Sequence, residues 1–380
     1  MAAQGANGGG EAKAGGRHVV LAGGGTGGHV YPALAMAGAL AARGHRISYF
    51  GDADRLEGRV VPQRGIPFVA LKAPQFPRAG LVAKLRFALA LAGAVRAARS
   101  ALVAAGAEAV VGVGGYISAP PVLAAWTLGL PTAVHEANVT PGLANRLCAR
   151  VSDLVLLTYA ETAGRLSGRA PREVVGCPVN PSVRAGDAAA ARARYGLGGE
   201  RPVIVVVGGS LGAATINALG LALVQARRAQ PSPRFDLVWV TGPTYFEACR
   251  ASAGTIENGV AIVAYEDKMP DLYAAGALVV CRAGSSTLAE LCAVGLPSVL
   301  VPSPNVTDNH QEGNARGLER AGASRVVLEK GLEPAATAAE IVALVDDRVG
   351  LARMGAAALG LARLDTADRV AGLVDALLRR

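Results

Sequence analysis

The sequence predicts a doubly wound α/β fold made of two successive parallel-sheet (Rossmann-like) domains facing a cleft. Three observations predict it. Short aliphatic runs ending in glycine alternate with helical patterns along the chain, as buried parallel strands and their crossover helices do. The strand–glycine–helix turn that opens this pattern at Gly23 recurs at Gly208. With 380 residues, 51% of them hydrophobic, the chain exceeds one comfortable core but can fill two.

In order, residues 17–22 read as a strand and 31–43 as the helix after its glycine turn. Residues 46–50 and 66–71 read as strands, and 81–105 carry a long helical pattern. A strand at 109–113 runs into Gly114-Gly115 and a helical stretch up to Leu128; strands at 131–135, 154–157 and 173–175 complete the first set. The pattern restarts with a strand at 202–207, a turn at 208–212 and a helix at 213–229. Further strands are expected at 235–241, 259–263, 277–281 and 297–301, with helices between them. Pro178 and Pro181 interrupt regular structure and mark the junction. A last helix, roughly 365–378, follows the second unit and is placed to cross back onto the first. The expected organisation is a tail at 1–16, a first domain at 17–178 joined by a returning helix at 364–380, and a second domain at 179–363.

Composition excludes several classes. The five cysteines (Cys148, Cys177, Cys249, Cys281 and Cys292) are scattered and form no C-x-x-C pair. That argues against a disulfide framework or a zinc site and fits a reducing compartment. Residues 1–16 lack the apolar core of a signal peptide and read as a disordered tail. No uninterrupted apolar run approaches the roughly 20 residues of a membrane-spanning helix. The expectation is a soluble protein, or one that meets a membrane only at its surface.

The net charge of +9 is unevenly placed. Residues 58–107 contain no Asp or Glu but eight basic residues, interleaved with Phe76, Leu81, Val82, Leu85 and Leu89 among other apolar ones. Basic and apolar residues on one segment suit a surface that meets anionic lipid headgroups. A core helix with solvated arginines is the alternative, and helical periodicity does not separate the two because apolar residues run nearly all round the wheel. No stacking aromatics interleave with the basic residues as in a nucleic-acid-binding motif, so no nucleic-acid partner is expected.

Doubly wound sheets bind ligands beyond the carboxyl ends of their strands, so function is sought in the loops there. The first, Gly23-Gly24-Gly25-Thr26-Gly27-Gly28-His29, satisfies G-x-G-x-x-G between a strand and a helix. Such a loop lets backbone N–H groups approach a ligand at a helix start. Asp52 and Asp54 stand near where a ribose-binding acid belongs, which keeps a nicotinamide dehydrogenase in play. His29, at the helix N-terminus, is instead suited to remain neutral and accept a proton. Gly114-Gly115-Tyr116 and His135-Glu136-Ala137-Asn138 follow neighbouring strands and bring further polar groups to the same edge.

The second half carries Gly208-Gly209-Ser210-Leu211-Gly212 and then Cys281-Arg282-Ala283-Gly284-Ser285-Ser286-Thr287-Leu288-Ala289-Glu290. Ser285, Ser286 and Thr287 fall at a helix start that attracts a diphosphate, and Glu290 is placed for ribose hydroxyls. An ordinary capping arrangement would look the same. Asp308-Asn309-His310-Gln311-Glu312-Gly313-Asn314-Ala315 offers the paired donors and acceptors that sugar hydroxyls need.

Taken in order, these six motifs closely resemble the MurG family from about Arg17 to the C-terminus. The resemblance implies the glycosyltransferase-B fold and a peripheral enzyme of peptidoglycan synthesis on the cytoplasmic face of the bacterial inner membrane, near the cell-wall and division machinery. It implies inverting transfer of N-acetylglucosamine from UDP-N-acetylglucosamine to the C4 hydroxyl of the N-acetylmuramoyl unit of lipid I, giving lipid II, with no cofactor and no metal. The substrate contacts implied are Thr26, Gly27, Gly28, Tyr116, Asn138, Asn180, Ser210, Glu266 (through backbone near the uracil), Ser285, Ser286, Thr287, Glu290, His310 and Gln311. His29 is the first choice for general base and Glu136 the second. The segment 58–107 matches the region the family lays on the membrane. Two positions depart from the pattern. Asn180, which brings no charge, stands where the family commonly has an arginine on the donor phosphate, and Leu211 replaces a frequent glutamine. Arg282 is the candidate to compensate. A UDP-sugar epimerase of the same fold remains a further alternative.

Overall fold

The computed structural model describes residues 16–77, 80–306 and 309–379. Residues 1–15 of the expected tail, Arg78 of the basic segment and Asp308 of the polar loop lie outside the described residues.

The first half runs β1 (His18–Gly23), α1 (Gly27–Ala42), β2 (Arg46–Gly51), α2 (Leu56–Gln63), β3 (Phe68–Ala70), α3 (Leu81–Ala105), β4 (Ala109–Gly114), α4 (Ala119–Thr127), β5 (Thr132–Glu136), α5 (Leu143–Cys148), β6 (Leu154–Leu157) and β7 (Arg172–Val174). A 3₁₀ turn, Pro181–Ala185, opens the second half. It continues as α6 (Ala188–Tyr195), β8 (Val203–Val207), α7 (Ala214–Arg228), β9 (Asp236–Val240), α8 (Phe246–Ala253), β10 (Val260–Val263), α9 (Met269–Ala275) and β11 (Gly276–Cys281). Then come α10 (Ser285–Val294), β12 (Ser298–Leu300), α11 (His310–Arg320), β13 (Ser324–Val326), α12 (Pro334–Asp346), α13 (Arg348–Gly360) and α14 (Thr366–Leu378).

The strands form a seven-stranded sheet in the order β3-β2-β1-β4-β5-β6-β7 and a six-stranded sheet in the order β10-β9-β8-β11-β12-β13. Every pairing is parallel. Each sheet is buried on both faces, which is why strands such as Val203–Val207 are unbroken aliphatic runs. In each sheet the strand order reverses once, between β1 and β4 and between β8 and β11. A doubly wound sheet leaves its ligand crevice at that reversal. The loops there are 23–29 and 114–116 in the first half, 208–212 and 282–287 in the second.

Local sequence misled at a few points. Helix α1 begins at Gly27, not Tyr31, because two glycines of low helical propensity occupy its first turn. The short elements α2 and β13 were not foreseen. Helix α3 has the expected limits, yet it is long and apolar enough by length and composition to cross a membrane, contrary to the expectation from uninterrupted runs. Only Ala98 and Leu102 of it are buried, and its second half packs on α4. Its first half is bare: Leu81 is 85% exposed and Leu89 68%.

Helix α14 returns to the first sheet. Val370, Ala371, Val374 and Leu377 join the core formed by β1, β2 and α1. Thr366 Oγ1 donates to the Val175 carbonyl at 2.9 Å, and Asp375 receives both Arg43 at 2.8 Å and His45 at 2.5 Å.

Candidate active site

The two reversal points meet. Helix α1 packs against α10, and Tyr31 on α1 lies close to Tyr265 of the second half. Asn314, fully buried on α11, accepts from the Val139 N–H at 3.0 Å and donates to Asn138 Oδ1 at 3.0 Å. These links close a cleft lined by loop ends from both sheets.

At its centre is His29, half-buried on the first turn of α1. Its Nδ1 lies 3.1 Å from the Gly24 carbonyl and 3.3 Å from Thr26 Oγ1. A carbonyl can only accept, so Nδ1 carries the proton there and Nε2 keeps its lone pair. Burial holds the imidazole pKa below its ordinary value; Glu136 opposes this and His310 of the second half adds to it. The ring packs against Gly114, where a Cβ would lie 2.7 Å from His29 Cδ2 and the backbone has φ +100°. Only glycine satisfies both conditions.

Thr26 precedes α1 in an extended conformation and its hydroxyl makes no capping bond, so the N–H groups of Gly27 and Gly28 face the cleft without a side-chain partner. Gly284 likewise precedes α10 with no side-chain cap, and Ser286 and Thr287 stand half-buried on its first turn. Glu290, one turn further, accepts from Tyr273 O–H at 3.0 Å. Burial pushes its carboxyl pKa up to about 7, against the pull of Tyr273. Ser210 is exposed on the 208–212 turn. Gln311 accepts from the Ser303 N–H at 2.9 Å, which leaves its NH₂ group to meet a ligand. His310 lies close enough to affect His29.

Other expected residues are engaged elsewhere. Glu136, the alternative base, accepts four hydrogen bonds, from Asn138 N and Nδ2, Gly142 N and Asn145 Nδ2. Its lone pairs are committed to shaping the loop between β5 and α5. His135 is fully buried with Nε2 on the Gly176 carbonyl at 3.1 Å, and it braces the domain junction. The Ser285 hydroxyl donates to the Ala137 carbonyl and joins the two halves, so it is not free for a phosphate. Asn180 accepts from the Ser182 N–H and caps the 3₁₀ turn. The Glu266 side chain is held by Tyr195, Arg194 and the Lys268 N–H. Arg282 Nη1 donates to Glu329 at 2.5 Å and to the Val301 carbonyl at 3.0 Å. Asp52 is tied to Lys72 at 2.7 Å, with Tyr116 O–H donating to it at 3.4 Å. Lys72 also pairs with Asp54 at 2.6 Å, but Asp54 stays exposed at the surface while Asp52 is buried.

Sequence reasoning missed Tyr31, Tyr265 and Tyr273, since nothing local marks a tyrosine as a cleft residue. It also missed Glu57 under the first glycine loop, because it follows Asp52 and Asp54 and nothing local separates it from them.

Comparison with known proteins agrees with this geometry. Residues 19–157 match the glycosyltransferase family 28 N-terminal domain and residues 203–370 its C-terminal domain. A UDP-N-acetylglucosamine–N-acetylmuramyl-(pentapeptide) pyrophosphoryl-undecaprenol N-acetylglucosamine transferase of Clavibacter sepedonicus is 41% identical, over 95% of this chain and 97% of its own. The crystal structure of Acinetobacter baumannii MurG superposes with a TM-score of 0.75 at 28% identity, covering 95% of this chain and 99% of the other. The glycotransferase of kitacinnamycin shares the fold, with a TM-score of 0.71 at 17% identity over 95% of this chain and 99% of that one. The chain belongs to glycosyltransferase family 28, within the MurG family of N-acetylglucosamine transferases.

Proposed function

We propose that this protein transfers N-acetylglucosamine from UDP-N-acetylglucosamine to the C4 hydroxyl of the N-acetylmuramoyl unit of lipid I, forming lipid II with inversion in a single displacement. The observation that carries the mechanism is the neutral His29, with Nε2 free, at the meeting point of the two reversal loops. His29 Nε2 takes the proton of the acceptor hydroxyl as its oxygen bonds to the sugar C1. The bond from C1 to the UDP oxygen breaks, and charge develops on the departing diphosphate. The free N–H groups at the start of α10, with Ser286 and Thr287, meet that charge. Glu290 receives the ribose hydroxyls and Ser210, His310 and Gln311 hold the sugar and uridine, while Asn138, bonded to Glu136 and Asn314, offers the sugar only its second amide hydrogen. Thr26, Gly27, Gly28 and Tyr116 shape the acceptor side.

In this reading residues 17–178 with the returning helix 364–380 take the acceptor, and residues 179–363 take the donor. The segment 58–107 rests on the anionic cytoplasmic surface of the inner membrane, where the acceptor lipid and the cell-wall and division machinery lie. Support comes from the bare apolar face of α3 beside Lys84, Arg86, Arg96 and Arg99.

The test is incubation with UDP-N-acetylglucosamine and a short-chain lipid I analogue, followed by mass detection of the disaccharide product. Product that requires both substrates is the expected result. Formation of UDP-N-acetylmannosamine from donor alone would make the protein an epimerase. Thermal stabilisation by NADH but not by UDP-N-acetylglucosamine would make it a dehydrogenase.

A further inference from the structure

Glu57 has no part in the mechanism above, yet its placement is unusual. It lies on the first turn of α2 and is fully buried. Among the described residues no Lys or Arg forms an ion pair with it. A buried carboxylate without a cation is expensive unless hydrogen bonds satisfy it. Two backbone groups do so: Oε2 accepts from the Gly25 N–H at 2.9 Å and Oε1 from the Asp52 N–H at 3.3 Å. The acid fits only because Gly24 has no side chain, since a Cβ there would lie 2.0 Å from Oε1.

The Gly25 N–H and the Gly24 carbonyl belong to one peptide group. That group donates to Glu57 on one side and accepts from His29 Nδ1 on the other. A carboxylate on the N–H end of an amide draws its proton and leaves the carbonyl a stronger acceptor, because linked hydrogen bonds polarise one another. The arrangement parallels a catalytic histidine oriented by a third group, with a rigid peptide plane inserted between acid and imidazole.

We propose that Glu57 is a positioning residue for the transfer: through the Gly24–Gly25 peptide it orients His29 and holds it as the tautomer with Nε2 unprotonated. This rests on His29 being the base. Glu57 touches no substrate. Its negative charge also acts on His29 directly and favours the imidazolium, so its removal moves the acid limb of the rate profile to lower pH.

The test uses Glu57→Gln in the full chain, assayed for kcat across pH with UDP-N-acetylglucosamine and a short-chain lipid I analogue. The expected result is a kcat lower by about 10-fold to 100-fold, the usual cost of losing an outer orienting partner. Donor KM should stay near that of the unaltered protein, and the acid limb should shift downward. In a His29→Ala background the same substitution should cost almost nothing further, because the two act as one unit. An undiminished kcat with an unmoved acid limb would overturn the proposal, and so would an equal loss in both backgrounds. Normal turnover of His29→Ala alone would overturn the base assignment instead, which keeps the two failures apart. Nitrogen NMR of the unaltered protein with labelled histidine covers the case in which Glu57→Gln does not fold. His29 should show protonated Nδ1, and protonated Nε2 in the free enzyme would overturn the proposal.

Discussion

At the scale of the residue, the site turns on two groups whose ionisation burial has moved. His29 is held below its ordinary pKa and is therefore neutral and basic at neutral pH. His29→Ala should lower turnover by about 10²-fold or more, the range for a lost general base, with donor binding retained in calorimetry. Gly114→Ala should hurt by geometry alone: it forces a side chain into a φ of +100° and against the His29 ring. We expect a stability loss of about 1–3 kcal/mol and a fall in kcat, measured by thermal melting and steady-state kinetics. Glu290 shifts the other way, its carboxyl raised to about 7. In the proposed site the ionised form accepts from ribose hydroxyls, so donor affinity should rise as pH climbs through about 7 and level off above. Tyr273→Phe removes the hydrogen bond that stabilises the carboxylate, so the midpoint should move to higher pH; an unmoved midpoint in donor titrations would separate Glu290 from donor binding. Folding stability runs opposite to affinity. A raised folded pKa means that this group's contribution is present at acid pH and is lost as pH rises through about 7.

At the scale of the element, the sequence was most legible where one local pattern decides the outcome. Buried parallel strands must be aliphatic, and the turn after each must admit a backbone close to its neighbours, so β1, β4, β8 and β11 and their glycines could be read directly. What could not be read were commitments made across the fold. Nothing near Arg282 announces that Glu329 will claim it, and nothing near Ser285 shows that its hydroxyl will reach Ala137 in the other half. Helix α3 is the converse case: its limits were plain, but only the structure shows that Leu81, Leu85 and Leu89 of its first half are left exposed. Leu81, Leu85 and Leu89 recur at i, i+4 and i+8 on one exposed stripe, with Lys84 and Arg86 beside them. Leu85→Glu with Leu89→Glu should abolish sedimentation with vesicles containing anionic phospholipid. Because neither side chain enters the cleft, kcat on a short-chain acceptor should hold near its unaltered value. Undiminished vesicle binding would remove α3 from the membrane surface.

At the scale of the whole molecule, the cleft exists because the two halves are latched in register at its floor. Asn314 supplies most of the latch: it takes the Val139 N–H and gives its amide hydrogens to Asn138 Oδ1 and, at 3.3 Å, the Ala283 carbonyl. Ser285 on Ala137 lies beside it. The bonds to Val139, Asn138 and Ala137 join the β5 loop to the start of α10 and the body of α11, which carry the proposed donor contacts, and the bond to Ala283 ties α11 to the loop before α10. Burial of unpaired polar groups costs about 1–3 kcal/mol each, so Asn314→Ala cannot keep the interface closed and dry at no cost. The halves should separate, with water taking the places of the lost partners. Thermal melting should drop, the small-angle scattering radius without donor should grow, and donor KM should rise more than kcat falls, since bound UDP-sugar must now draw the halves together. Saturating donor should restore the compact radius, because a ligand that contacts both halves favours the closed arrangement by its differential affinity. Adding Ser285→Ala to Asn314→Ala should then open the molecule little further, the interface being already parted. A scattering radius and donor KM unchanged in Asn314→Ala would show that the helices α1 and α10 and the Tyr31–Tyr265 contact hold the cleft shut without it.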